Sequence, residues 1–163
     1  MNLPRPTLPL TLIFLLGAAC VPDVKELEVT ASIEEASLSI KQSPFGTAEA
    51  PQGIPEGSFT LVLRLGEYAS GSSEVAVQQF AVVDSSGGQT LLATLPIQAD
   101  MKTSFRVEPG SSHRHAYTFA YDKPVPIGAL CAAGQVRYTG TILDGARGKT
   151  TLVTSTPIPV SCP

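Results

Sequence analysis

Residues 59–65 read Phe-Thr-Leu-Val-Leu-Arg-Leu. Phe59, Leu61, Leu63 and Leu65 take alternate positions, and Thr60, Val62 and Arg64 fill the places between them. A period of two puts the first set on one face of a β-strand and the second on the other. The same alternation recurs along the chain. Tyr117, Phe119 and Tyr121 alternate with Ala116, Thr118 and Ala120; Val136, Tyr138 and Ile142 alternate with Arg137, Thr139 and Thr141. Leu91, Ala93, Leu95 and Ile97 alternate with Thr90, Leu92 and Thr94. Leu27-Val29-Ala31-Ile33 and Ala36-Leu38-Ile40 are two earlier strand candidates, and Phe105 with Val107 marks a short one stopped by Pro109-Gly110. Between Glu74 and Val83 the phase slips, because Val75 and Val77 have the opposite parity to Phe80 and Val82. A bulge near Gln78 and Gln79 restores the inward face.

Turn chemistry separates these runs. Asp84-Ser85-Ser86-Gly87-Gly88 reads as a hairpin, and Asp144-Gly145-Ala146-Arg147-Gly148 joins the strand at Val136 to one over residues 150–156, with glycine available for positive φ. No window sustains a 3.6-residue period, so no helix is expected. Eight or nine strands in about 140 residues indicate an all-β fold, a single antiparallel β-sandwich over residues 26–163. In architecture it resembles the immunoglobulin-like and fibronectin-type-III-like class. It lacks the tryptophan of antibody domains, since the chain has none. Residues 42–57 (QSPFGTAEAPQGIPEG) hold three prolines and three glycines and read as one long irregular connection. Loops of that length are solvated links or partner-binding segments.

The N-terminus carries an address. Arg5 is the sole charged side chain before Asp23, and Leu8 to Ala19 is an apolar run of 12 residues. As a helix it reaches roughly 18 Å, short of the roughly 30 Å hydrocarbon core. Residues 1–19 therefore read as a signal peptide rather than a membrane span. The run ends Gly17-Ala18-Ala19-Cys20, which resembles the lipobox of bacterial lipoproteins. That family prefers leucine where Gly17 stands, and Leu16 lies one residue further back. The resemblance implies cleavage before Cys20 and a diacylglycerol thioether on its sulfur, with residues 20–25 as a lipidated tether. Val21 in place of an aspartate points to the outer membrane. An ordinary signal-peptidase cut after Ala19 gives a secreted, unlipidated product instead. Either cut removes Arg5 and moves the net charge from −3 to −4. That balance disfavours both nucleic acid and anionic headgroups.

Of the three cysteines, lipidation of Cys20 leaves Cys131 and Cys162 as an even pair. In an oxidising compartment the pair is expected as a disulfide. His113 and His115 are the two histidines. Two apart on a strand, they share a face and could share a metal, with Glu108 nearby in sequence; the alternative is a pair of polar residues at the end of the sandwich. The stripe His113, His115, Tyr117, Phe119, Tyr121 is either a core face or a platform for a glycan ring. Gly148-Lys149-Thr150 lacks the upstream glycine of a phosphate-binding loop, since Leu143 stands there. Glu34 and Glu35 are adjacent, and strand alternation sends them to opposite faces, so no paired-carboxylate mechanism follows. Asp122 with Ser111, Ser112 and His115 is sequence proximity and not a triad. The expectation is a non-catalytic envelope module without cofactor, tethered to a membrane and binding an envelope protein; the alternative is a domain binding a metal or a glycan.

Overall fold

The structure is a computed structural model and describes residues 27–97 and 103–163. The signal peptide, Cys20 and the tether to residue 25 lie outside the described residues. Ten strands and one short helix follow in the order β1 (Val29–Gln42), β2 (Gln52–Leu65), β3 (Ser73–Asp84), β4 (Thr90–Leu92), β5 (Ser104–Val107), β6 (Ser112–Ala120), β7 (Val125–Pro126), α1 (Gly128–Ala133), β8 (Gln135–Asp144), β9 (Lys149–Thr154) and β10 (Ile158–Ser161). The all-β expectation holds. The expected pair of purely antiparallel sheets is corrected, because β10 lies parallel to β1, with Leu38 opposite Val160, and antiparallel to β8, with Ile158 opposite Val136. One curled mixed sheet results, in the order β4-β3-β8-β10-β1-β2-β6. Four residues of β10 thus join a β1–β2–β6 half to a β3–β8–β9 half.

The two halves face each other across an aromatic core. Phe59 on β2 meets Phe80 on β3 at 4.6 Å between ring centroids, Tyr138 on β8 at 5.0 Å and Tyr117 on β6 at 5.3 Å. Apolar area removed from water, at about 25 cal/mol per Å², is what draws the halves together. Tyr138 keeps its hydroxyl satisfied by donating to the Ser37 carbonyl at 2.7 Å. Gly140 leaves the space beside Phe80; a Cβ there would overlap the Phe80 ring.

Two bulges set the inward faces. In β3 the register against β8 shifts between Val77 and Gln79, and Val75, Val77, Phe80 and Val82 all face the core, as the phase slip in the sequence requires. The second bulge merges two expected strands into one. Glu34 pairs with Thr60 but Ser37 pairs with Ser58, so β1 has one residue more than β2 over that stretch. The parity flips there, and Val29 and Ile33 before it join Leu38 and Ile40 after it in the core. Glu35 sits in the bulge at φ 52, a left-handed conformation uncommon for a side-chain-bearing residue.

Three further expectations change. Residues 42–57 are not one loop: β2 starts at Gln52, and only 43–51 are irregular. Pro55 is tolerated inside β2 because its carbonyl side, where Tyr121 donates at 3.0 Å, faces the break between β6 and β7, so its missing N–H deprives no strand partner. The run 91–97 does not stay extended. It bends after Leu92, so Leu92 and Leu95 are buried in the core while Leu91 is only half-buried at its margin. Finally, six residues carrying Cys131 form α1, too short to show a helical period.

Candidate functional site

β1 has 14 residues, which span roughly 45 Å when extended. Its start adjoins the end that carries the turns between β2 and β3, β5 and β6, and β8 and β9. Its far end carries the 43–51 loop, α1 and the chain after β10. Cys131 on α1 is bonded to Cys162 beyond β10, with Cα atoms 6.0 Å apart. The expected disulfide thus ties helix and final strand together at this end.

The 43–51 loop is built from local hydrogen bonds. Ser43 N donates to Gln52 O at 3.3 Å, and the Ser43 hydroxyl accepts from Phe45 N at 3.2 Å. Thr47 Oγ1 accepts from Ala50 N at 3.1 Å. Ile127 N donates to Pro51 O at 3.1 Å and joins the loop to α1. Together they frame a recess of about 410 Å³ lined by Ser43, Thr47, Pro51, Ile127, Cys131 and Cys162. Phe45, 77% exposed, stands on this loop.

The histidines share a face of β6, as alternation requires, but only His115 reaches the interior. Its ring lies 5.2 Å from Phe105 and 4.8 Å from Tyr117, and its Nε2 is enclosed without a hydrogen-bond partner among the described residues. His113 is exposed. Glu108 receives Arg106 Nε at 2.8 Å. Among the described residues no group of three His, Cys, Asp or Glu is placed to hold a metal ion. Tyr117 and Phe119 are core residues closed to a sugar ring, and burial raises the Tyr117 hydroxyl pKa to about 12.

Glu34 and Glu35 correct the alternation argument. The bulge turns both carboxylates to the outer face, where Arg114 on β6 donates Nη1 to Glu34 Oε2 at 2.7 Å and Nη2 to Glu35 Oε1 at 3.1 Å. Thr60 donates to the other Glu35 oxygen at 2.8 Å. The hydrogen bond from Arg114 holds the Glu34 carboxyl below the usual carboxylate range, and the two glutamates raise Arg114 in turn. Two carboxylates committed to one guanidinium cover the β2 surface over Val62; they are not poised to exchange protons. No sequence signal short of the bulge itself could have revealed this clamp.

The remaining motif residues belong to turns. Lys149 pairs with Glu28, which serves the β8–β9 hairpin rather than a phosphate. The Ser111 hydroxyl donates to Glu108 O at 2.7 Å and accepts from Glu108 N at 3.0 Å. Buried Asp144 accepts from Ser73 and lies 3.2 Å from Arg147. Among the described residues no helix is long and apolar enough to cross a membrane.

No family model matches the chain, and no curated protein matches it. Solved structures with a similar chain path include Northeast Structural Genomics Consortium target SoR45, at 12% identity and TM-score 0.43 over 86% of this chain and 90% of that one. A FixG-related protein from Vibrio parahaemolyticus matches at 12% identity and TM-score 0.39, over 77% of this chain and 95% of its own. A putative ApaA protein from Bordetella pertussis matches at 11% identity and TM-score 0.35, over 83% and 94% respectively. Function does not travel with likenesses of this kind.

Proposed function

We propose that the chain is a non-catalytic lipoprotein of the cell envelope. Cys20, freed by removal of residues 1–19, carries the diacylglycerol and holds the domain on the outer membrane. The domain itself is an immunoglobulin-like sandwich in which β10 links the two facing halves. It acts as an adhesion, scaffold or accessory module that offers its far end to an envelope protein. One observation supports this division of labour: β1 separates the tether end from the disulfide-tied 43–51 end by roughly 45 Å. Two acyl chains at one end give stable anchoring, and Phe45 is displayed at the other.

Metabolic labelling with palmitate tests the anchor. Label on the wild-type chain, lost in Cys20→Ser and in cells treated with globomycin, is the expected result. An unlabelled product recovered from the medium refutes it. A photo-crosslinking side chain at position 45 tests the partner surface in intact membranes. A discrete adduct that a crosslinker on exposed Leu152 does not give is expected; identical adducts from both positions refute a dedicated end.

A further inference from the structure

The outer faces of the two halves differ in charge. On β1, β2 and β6 the outward side chains include Glu34, Glu56, Arg64 and Arg114. On β3, β8 and β9 the outward positions run Ala81, Val83, Thr139, Thr141, Leu152 and Thr154, and Arg137 is the cation among them. Arg137 lies opposite Val83, at the point where the other neighbour of β8 changes from β9 to β10. Its Nε is buried with no hydrogen-bond partner among the described residues. A buried donor without an acceptor is costly, and native proteins rarely keep one without a use.

Around Arg137 is a recess of about 340 Å³ walled by Val83, Thr139, Leu152 and Thr154, with Asp84 at its rim. Asp84 is not its missing acceptor. That carboxylate is taken by its own turn, receiving Ser86 N at 3.2 Å, Ser86 Oγ at 2.7 Å and Gly87 N at 3.1 Å. The Ser86 contacts, foremost its hydroxyl, lower the Asp84 pKa. What remains is a guanidinium whose Nε lacks an acceptor among the described residues, beside Thr139 and Thr154 and next to Val83 and a Leu152 that is 68% exposed. A planar guanidinium fork matches the two oxygens of a carboxylate. The flanking leucine and valine match a short apolar chain. We infer that this recess binds a carboxylate carried on a short apolar group. The chemistry is shared by a free alkanoic acid and by the C-terminus of a peptide ending in an apolar residue. The inference does not depend on lipidation or on the partner end.

The test follows by NMR of the full chain the backbone amide resonances of Val83, Thr139 and Thr154 beside the recess, which every variant keeps, together with the Arg137 Nε–H resonance wherever Arg137 is present. The probes are hexanoate and N-acetyl-Ala-Leu, with acetate and hexylamine as controls for charge alone and chain alone. Saturable shifts with either carboxylate probe, and weak or absent shifts with both controls, are the expected result. The tighter of the two probes identifies the source. Arg137→Gln should weaken binding at least about tenfold, the equivalent of one charge-assisted hydrogen bond. Leu152→Asp, at an exposed position that folding does not need, should weaken it through repulsion, and Asp84→Asn should tighten it by removing the one nearby negative charge. Failure of both carboxylates to move Arg137 Nε–H at tens of millimolar (about a hundredfold above a weak-site Kd of a few hundred micromolar) overturns the inference. So does affinity unchanged in both Arg137→Gln and Leu152→Asp.

Discussion

Gly57→Ala is the most informative single change in the core. Gly57 lies in β2 between Leu38 of β1 and Phe119 of β6. A Cβ at this position would overlap the Tyr138 hydroxyl, lie 2.5 Å from the Ser37 carbonyl oxygen and 3.0 Å from Phe119 Cε1. It would therefore wedge apart the hydrogen bond that Tyr138 makes to Ser37 O at 2.7 Å. Leaving that hydroxyl and carbonyl unpaired costs about 1–3 kcal/mol. Overpacking adds about 1–3 kcal/mol. Restricting the unfolded chain returns about 0.5–1 kcal/mol. The net expectation is a loss of about 1–5.5 kcal/mol, read as a lower urea midpoint at unchanged slope. Tyr138→Phe alone should cost about 1–1.5 kcal/mol, as one hydrogen bond is lost. In the double variant the hydroxyl is gone, so alanine meets only the carbonyl and the Phe119 edge, and the pair should couple favourably by at least about 1 kcal/mol. Additivity within about 0.5 kcal/mol would show that the hydroxyl is not what excludes a side chain at position 57.

Reduction of Cys131–Cys162, or Cys131→Ser with Cys162→Ser, opens a loop with a sequence separation of 31 and should cost about 3–4 kcal/mol in urea unfolding under matched conditions. Alkaline titration should show a stability loss from the core tyrosines. Their neutral forms are favoured by burial, so stability is full below the unfolded pKa near 10 and falls as pH rises toward the folded value, about 12 for Tyr117 and higher for Tyr138. Circular dichroism from pH 9 to 12 should see that fall, and Tyr117→Phe should shrink it. At the acid end the depressed Glu34 pKa works the other way: its contribution is present above the ordinary carboxyl value of 4.5 and fades as pH falls through the folded value, and Arg114→Ala should remove most of that dependence. Gly140→Ala should destabilise by about 1–3 kcal/mol through overpacking against Phe80, measured as a lowered Tm.

What the sequence could convey depended on how local its cause was. Strand faces with an unbroken period, such as 59–65 and 136–142, were legible because burial acts on alternate residues of one segment. The β3 bulge was legible too, since it leaves a visible change of parity between Val77 and Phe80. The β1 bulge left the same mark at Glu34–Ala36, but a change of parity is also what two separate strands produce, and only pairing against β2 distinguishes them. Pro55 and three glycines argued for a loop where the missing N–H in fact faces a break between two partner strands. The parallel placement of β10 carries no local signature, because it is decided by contact between Leu38 and Val160. The same holds for the candidate sites. The pairing of Cys131 with Cys162 was expected from the sequence on the premise that Cys20 is taken by lipid. The clamp on Arg114 and the unpaired Nε of Arg137 arise from neighbours remote in sequence.

The position of β10 also dictates when the molecule can close. Leu38 must wait for Val160, so neither half can complete its hydrogen-bonded seam before residues 158–161 have been synthesised. Early strands can collapse into hairpins, but their union waits for residues 158–161, and pairing across so large a separation in sequence slows closure. Until that four-residue latch pairs, one edge of β1 and the end of β8 that it covers stay open to other strands.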